Sequence, residues 1–175
     1  GTSALLSNTT GTGNVAVGRY ALRVNTTGAN NVSMGESSLA GNTTGANNTA
    51  LGSNALRDNT TGYENTSVGA YSLATNTTGF YNTAFGNRAL ELNTSGRDNT
   101  ALGLLALASN TTGNSNTGIG NGALQSNTIG YESIAIGQGA LYSNTTANKN
   151  NAIGFASLNK NTTGADNVAI GHSSL

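Results

Sequence analysis

Large apolar residues recur along the chain at two fixed places in a 17-residue unit. When each unit is numbered from the Asn of a recurring Asn-Thr pair, Leu stands at position 15 of every copy, and Val, Met, Leu, Phe or Ile stands at position 10. Position 9 is always Ala, Ser or Gly, position 11 is always Gly, and position 14 is always Ala or Ser. No copy carries an insertion or a deletion, since the pairs begin at residues 8, 25, 42, 59, 76, 93, 110, 127, 144 and 161. Such fixed self-similarity is typical of a repeat architecture.

Gly and Asn divide each repeat into short segments. Asn-Thr-Thr-Gly and a second Gly leave stretches of at most about six residues, and isolated helices of that length are unstable. Gly permits a positive φ at a corner, and Asn tolerates it better than most residues. The pattern therefore predicts an all-β parallel β-solenoid, a β-roll of stacked 17-residue coils. Residues 1–175 form one tandem-repeat domain, with copies truncated at 1–7 and 161–175, and we expect it to be a segment of a longer fibre.

Two apolar ladders are predicted to fill the interior of the coils. Stacking places equivalent side chains above one another about every 4.8 Å, and a stack buries apolar surface that one coil alone cannot. The first ladder is formed by position 15: Leu22, Leu39, Leu56, Leu73, Leu90, Leu107, Leu124, Leu141 and Leu158. The second is formed by position 10: Val17, Leu51, Val68, Phe85, Leu102, Ile119, Ile136 and Ile153.

Asn is the most regular polar residue of the repeat. It occupies position 1 in every copy and position 7 in every copy except one, where Ser133 replaces it. Stacked Asn amides hydrogen-bond from one layer to the next in cross-β structures. We therefore expect an Asn ladder that stabilises a corner of the coil: Asn25, Asn42, Asn59, Asn76, Asn93 and Asn110.

The small residues at positions 9 and 14 bear on the number of chains. Positions 9 and 10 are neighbours in a strand, so their side chains point to opposite faces. If position 10 faces the interior, the restriction of position 9 to small residues indicates that the outer face is also packed, against a neighbouring copy. We therefore expect a homo-oligomer, a trimer around a common axis or a filament. The alternative is that small residues fit a cramped, very flat coil.

A weaker pattern has twice the period. Position 6 is acidic in alternate copies (Glu64, Asp98, Glu132 and Asp166), and position 16 carries Ala40, Ala74 and Ala108 between Arg23, Arg57 and Glu91. This alternation spaces like charges along the stack, or it marks a double-length coil made of two 17-residue halves. We favour one coil per 17-residue repeat.

The segments Asn14–Gly18, Asn82–Gly86 and Asn167–Gly171 share the motif N-x-A-[IVL]-G, with Phe in the fourth place of the second segment. This motif resembles the head repeats of YadA-like trimeric autotransporter adhesins. The fuller pattern N-T-A-[IL]-G-x-x-A-L is similar to repeats in phage tail-fibre-like proteins and large bacterial surface proteins, and it covers essentially the whole chain. The resemblance implies a left-handed β-roll in a tight trimer. It also implies an extracellular or virion-borne fibre that is structural or adhesive and engages a host-surface glycan or protein.

Catalytic chemistry has little support in the sequence. Only 8% of the residues are charged, the net charge is zero, and the seven Lys and Arg do not cluster as in a nucleic-acid-binding protein. The single histidine, His172, cannot form a triad or a metal cluster alone. The match of Gly118, Gly120 and Ala123 to a dinucleotide motif follows from the repeat itself. No apolar run approaches the ~18 residues that span a bilayer. We therefore expect that the chain is not an enzyme, that it binds no cofactor, metal or nucleic acid, and that it does not insert into a membrane.

Three surface features leave a ligand-binding module as the alternative function. Tyr63, Phe80 and Tyr81 should cluster, and exposed aromatic rings can stack on sugars, as in a glycan-recognising head. Stacked Thr hydroxyls could bind ice, although adjacent Thr residues leave one outward hydroxyl per coil. The Asn-Thr-Thr or Asn-Thr-Ser segments are also glycosylation sequons, at Asn8, Asn25, Asn42, Asn59, Asn76, Asn93, Asn110, Asn144 and Asn161.

Overall fold

The computed structural model describes residues 1–175 as one stack of coils with a single parallel sheet along its length. Each repeat contributes a three-residue strand at positions 8–10, and the ten strands lie in sequence order. The strands are β1 (Val15–Val17), β2 (Val32–Met34), β3 (Thr49–Leu51), β4 (Thr66–Val68), β5 (Thr83–Phe85), β6 (Thr100–Leu102), β7 (Thr117–Ile119), β8 (Ile134–Ile136), β9 (Asn151–Ile153) and β10 (Val168–Ile170). The rest of each coil is turns, and no helix of the structure could cross a membrane.

The register of the sheet defines the coil. In the pairing of β5 with β6, Ala84 lies opposite Ala101 and Phe85 opposite Leu102, so each residue meets its equivalent in the next repeat. The same offset holds for every strand pair from β1 to β10, for example Val15 with Val32. The prediction of an all-β parallel solenoid is confirmed, and one 17-residue repeat is one full coil.

The interior of the coil is narrow and is filled from positions 9, 14 and 15. The Leu of position 15 is fully buried in the inner coils, from Leu22 to Leu141, together with the Ala residues of positions 9 and 14. Positions 9 and 14 face each other, since the hydroxyl of Ser67 donates to the carbonyl oxygen of Ser72 at 2.8 Å. The strand and the segment at positions 14–17 are therefore the two walls of the coil, which we call the strand wall and the turn wall.

The prediction that position 10 lines the interior is wrong. Side chains of this position point outward from the strand wall, where Val17 is 52% exposed, Phe85 53% and Leu102 45%. The same holds for the other members predicted to be inside, which are exposed or half-buried: Leu51, Val68, Ile119, Ile136 and Ile153.

The reason for this reversal is the lack of space behind the strand. A Cβ at Gly118, in position 9, would lie 3.3 Å from Cγ of Leu107 and 3.1 Å from the carbonyl oxygen of Ala123. Only Ala, Ser or Gly fits there, so the strand must turn its small residue inward and its large residue outward. The small residues thus reflect a cramped, flat coil, and they do not indicate a second chain.

The backbone conformation explains why position 15 never carries Val or Ile. Its φ lies between 48° and 57° in all copies, in the left-handed region. Residues branched at Cβ are strongly disfavoured there, so Val and Ile are excluded although their size would fit the core. Positions 6 and 13 also have positive φ, and neither contains Val, Ile or Thr in any copy. Position 10 is extended and accepts Val and Ile freely.

The Gly of position 11 is required by both conformation and space. Its φ lies between 123° and 143°, a region that side chains rarely adopt. A Cβ at Gly86 would also lie 2.4 Å from the carbonyl oxygen of Gly103 in the next coil. Successive coils therefore approach each other too closely at this corner for any other residue.

The Asn residues of position 1 form the predicted amide ladder. The amide nitrogen of Asn76 donates to Oδ1 of Asn59 in the preceding coil at 2.8 Å and to the carbonyl oxygen of Gly79 at 3.0 Å. Its own Oδ1 accepts from Nδ2 of Asn93 at 2.8 Å. Both amide hydrogens and the amide oxygen are therefore used in every inner coil.

The Asn residues of position 7 form a second ladder. Oδ1 of Asn65 accepts from both the backbone N–H and Nδ2 of Asn82, at 3.0 and 3.1 Å. Where Ser133 interrupts this ladder, its Oγ accepts from the N–H of Asn150 at 3.2 Å. No buried side-chain nitrogen or oxygen lacks a hydrogen-bond partner, so the polar interior costs little in unpaired groups.

Thr at position 2 joins neighbouring coils through one carbonyl group. The carbonyl oxygen of Thr60 accepts from the N–H groups of Thr43, Thr44 and Gly45 at 3.0, 3.2 and 3.3 Å. It also accepts from the hydroxyl of Thr43 at 3.0 Å. Four donors of one coil thus converge on one oxygen of the next, which ties the Asn-Thr-Thr-Gly corner to its neighbour.

Replacing Leu90 by Ile tests the left-handed backbone at position 15. Ile keeps the buried volume, but its branched Cβ is disfavoured at the φ of 51° that residue 90 adopts. We expect Leu90→Ile to lower the free energy of unfolding by about 1–3 kcal/mol more than Leu90→Met does. The measurement is chemical denaturation followed by circular dichroism. The matched control is Leu102→Ile, at extended position 10, which should change stability by less than about 0.5 kcal/mol. Equal losses at residues 90 and 102 would contradict the explanation.

Replacing Asn76 by Asp tests the amide ladder. The new carboxylate would face Oδ1 of Asn59 and the carbonyl oxygen of Gly79, two acceptors to which it cannot donate. We expect Asn76→Asp to lower the free energy of unfolding by about 3 kcal/mol or more at pH 7.

The same variant should be pH-dependent. Burial among acceptors raises the pKa of the introduced carboxyl above its ordinary value of about 3.9. The loss is therefore complete above the raised folded pKa and shrinks as the pH falls from that pKa towards the unfolded value of about 3.9, below which both states are protonated. Exposed Asn121, changed to Asp, is the control and should show neither effect. A stable Asn76→Asp protein at pH 7 would rule out an essential ladder.

Candidate functional site

The outer face of the strand wall carries a continuous row of apolar side chains. We call it the apolar ladder, and it consists of position 10 of every coil: Val17, Met34, Leu51, Val68, Phe85, Leu102, Ile119, Ile136, Ile153 and Ile170. The side chains stand on neighbouring parallel strands, so they repeat about every 4.8 Å. Position 8 points to the same side and is Val, Ile, Thr or Asn. A contiguous exposed apolar surface of this kind marks an interaction site on a soluble protein.

This ladder is the surface that sequence reasoning misses. The pattern identifies its residues, but their size and apolar character assign them to the wrong face. A signal is available in the sequence: position 10 accepts five side chains of different shape, from Val to Phe, whereas position 15 accepts only Leu. A closely packed interior tolerates shape changes poorly, so the variable position is the better candidate for the surface.

The aromatic cluster of Tyr63, Phe80 and Tyr81 forms as predicted. The rings of Tyr63 and Phe80 are stacked with centroids 4.9 Å apart and planes within 5°. Tyr81 meets both edge-on, at 5.4 and 5.1 Å. The guanidinium of Arg97, one coil further on, lies 5.6 Å from the centre of Phe80. Tyr63 and Arg97 belong to the coils on either side of Phe80, so both faces of its ring are covered and unavailable to a sugar.

Few charges lie around these surfaces, and those present are exposed. Arg19 pairs with Glu36 of the next coil, and this hydrogen bond raises the pKa of Arg19. The negative charge of Glu64 raises the pKa of Tyr81 above its ordinary value. Exposed pairs of this kind contribute little to stability. The ring of His172 stacks on Phe155 at 4.9 Å, and the chain contains no group of three potential metal ligands.

The predicted glycosylation sites do not fit the folded stack. Asn25, Asn42, Asn59, Asn76, Asn93, Asn110 and Asn144 are fully buried. Asn8 and Asn161 are half-buried, and they too use their amide nitrogens in hydrogen bonds. A glycan on the amide nitrogen would replace a hydrogen that the ladder uses, and it would have no room between the coils. The Asn-Thr-Thr pattern is therefore explained by the ladder and its corner.

The Thr residues leave one outward row. The hydroxyl of position 2 donates to the carbonyl oxygen of the next coil, as Thr77 does to Thr94 at 3.0 Å. Position 3 is exposed in every coil, but Ser95 and Ile129 replace Thr in two of them. A single interrupted row gives less regular contact than the paired rows expected of an ice-binding face.

No family model matches the chain, and no curated protein or solved structure is significantly similar to it.

Proposed function

We propose that the chain is a stiff, non-catalytic segment of an extracellular or virion-borne fibre, and that it assembles with copies of itself through the apolar ladder. The observation that carries this proposal is the exposure of large apolar side chains at position 10 in every coil. In a chain that functioned alone in water, polar residues at these outward positions would make the protein more soluble than apolar ones do.

Stiffness follows from the hydrogen bonds between coils. Each coil is joined to the next by a parallel strand pair, two Asn amide contacts and the four donors at the Thr carbonyl. Bending the stack would stretch all of these contacts at once on one side. Ten strands about 4.8 Å apart give a sheet roughly 45 Å long, and further copies in register would lengthen it without a joint.

The apolar ladder is large enough for a stable interface. The ten side chains, which are exposed or half-buried, together offer on the order of 700–800 Å², close to the area that each partner buries in a standard-sized interface. In a trimer, each chain would divide this area between its two neighbours. No charged residue stands at position 8 or 10 in any coil, so no charge would be desolvated at the centre of the contact. The even spacing lets ladders of identical copies interdigitate in register.

The finer parts of the proposal come from the resemblance to YadA-like head repeats. They are a left-handed coil and a trimer in which three strand walls face a common axis. In that arrangement the turn walls and the corners stay exposed, and adhesive contacts to a host-surface glycan or protein would be made by their variable positions. No reaction is part of this function.

Self-association can be tested by placing charges on the apolar ladder. We expect the wild-type protein to have the mass of a trimer in sedimentation velocity and light scattering. The double variant Phe85→Lys, Leu102→Lys should be monomeric with an unchanged circular dichroism spectrum, because both side chains lie outside the coil and lysines would be desolvated in the interface.

The matched control places the same charges on the turn wall, at exposed Leu92 and Tyr142. The variant Leu92→Lys, Tyr142→Lys should keep the trimer mass. A wild-type monomer at high protein concentration, or dissociation of the control instead of the ladder variant, would refute the proposal. If the wild type forms an oligomer of another size, and only the ladder variant dissociates it, then the apolar ladder is the interface but the trimer is wrong.

A further inference from the structure

The turn wall carries a notch that the apolar ladder does not explain. From Arg23 to Ala108, position 16 alternates between long and small residues, so Ala40 stands between Arg23 and Arg57 of the adjacent coils. Position 17 of the same coil is Gly41, while the following coil has Asp58. Adjacent coils are about 4.8 Å apart, so a coil without long side chains leaves a gap of roughly 9.6 Å between the flanking backbones.

A cavity of about 290 Å³ occupies this gap. Its floor is formed by Ala40 and Gly41, and its sides by Arg23 on one edge and Arg57 with Asp58 on the other. The lining is completed by Tyr20, Val24 and Ser37. We call it the arginine notch. The volume is close to the lower end of the range of small-ligand pockets, about 300–1,000 Å³. The related positions Ala74 and Ala108 are buried, and neither lines a cavity.

Of the two arginines that line the notch, only one has a carboxylate partner. Arg57 is held by Asp58 through two hydrogen bonds, Nε to Oδ1 at 2.7 Å and the terminal nitrogen to Oδ2 at 2.6 Å. Arg23 has no carboxylate within 4.0 Å, and its guanidinium lies 5.5 Å from the centre of the Tyr20 ring. The cavity thus presents a guanidinium without an anionic partner on one edge and a carboxylate that can accept hydrogen bonds on the other.

We infer that the arginine notch binds a uronic acid unit of an acidic polysaccharide. A planar guanidinium binds a carboxylate through two parallel hydrogen bonds, which assigns the sugar carboxylate to Arg23. Asp58 and the hydroxyl of Ser37 are placed to bond sugar hydroxyls, and Val24 offers an apolar side. The ring of Tyr20 is occupied by the guanidinium groups of Arg19 and Arg23, at 5.1 and 5.5 Å from its centre, and it helps to position Arg23. An acidic peptide side chain supplies a carboxylate but no hydroxyl for Asp58, and its narrow stem fills less of the cavity.

The inference is independent of the proposed self-association. The arginine notch lies on the turn wall and the apolar ladder on the strand wall, so variants at one leave the other intact. Binding can therefore be measured on the wild-type assembly whatever its size. The suitable method is saturation-transfer difference NMR, which observes the ligand and tolerates large complexes.

The probe is D-glucuronate, with D-glucose, acetate and N-acetyl-L-glutamate as comparison ligands. We expect saturable binding of D-glucuronate, and binding at least about tenfold weaker for D-glucose, which lacks the charge-assisted hydrogen bonds. Arg23→Gln should weaken D-glucuronate binding at least about tenfold, and Arg23→Lys should have an intermediate effect because it keeps the charge without the planar fork. Ala40→Leu, which fills the notch, should abolish binding.

Two matched variants on other surfaces separate these effects from a general change of charge or fold. Arg97→Gln removes a charge beside Phe80, and Ala46→Leu enlarges a half-buried residue at position 5. Both should bind D-glucuronate as the wild type does. The uronate assignment would be overturned if D-glucose bound as tightly as D-glucuronate, or if acetate displaced D-glucuronate at concentrations no higher than those at which D-glucuronate itself binds. Tighter binding of N-acetyl-L-glutamate than of D-glucuronate would also overturn it. Loss of binding in Arg97→Gln as well as in Arg23→Gln would overturn the location.

Discussion

The buried Asn side chains of position 1 align each coil with its two neighbours. Each inner Asn has one correct partner in the coil before it, one in the coil after it and one carbonyl in its own coil. An amide that loses its place in this row leaves polar atoms unpaired in a dry interior, at a cost of several kcal/mol. The amide ladder therefore fixes the register of the stack, and this requirement explains why every repeat has the same length. The Gly corner and the Thr carbonyl contact both rely on the same alignment.

Much of the fold can be predicted from the sequence because a repeat states each constraint many times. The period, the parallel stack, the buried Leu of position 15 and the amide ladder all follow from residues that never vary. The orientation of the strand does not follow so directly, because a three-residue strand has only one inward side chain and hydrophobicity alone assigns it to the largest residue. The deciding quantity is the depth of the coil. It becomes visible only when Leu107 is seen to lie against Gly118.

The candidate functional surfaces are predictable to different degrees. Clustering of Tyr63, Phe80 and Tyr81 follows from their equivalent places in adjacent coils, but their mutual stacking and the cover from Arg97 depend on side-chain geometry. The arginine notch is visible in the sequence only as an alternation of Ala40 with arginines. Its depth results from two small residues, Ala40 and Gly41, standing next to each other in one coil. Its charge arises because Asp58 pairs with Arg57 and no carboxylate pairs with Arg23. Similarly, the sequons can be excluded only once both amide hydrogens are located.

The lack of any insertion or deletion across the copies has a consequence for how such a molecule changes over generations. Because every coil contacts only its two neighbours and all contacts have the same geometry, a duplicated or deleted 17-residue unit leaves each remaining interface unchanged. An insertion or deletion of any other length would move the Asn residues that follow it out of line with those that precede it. The length of the rod is therefore quantised in steps of about 4.8 Å. Recombination between the gene segments that encode the repeats can alter the length of the rod in whole units while the fold stays the same.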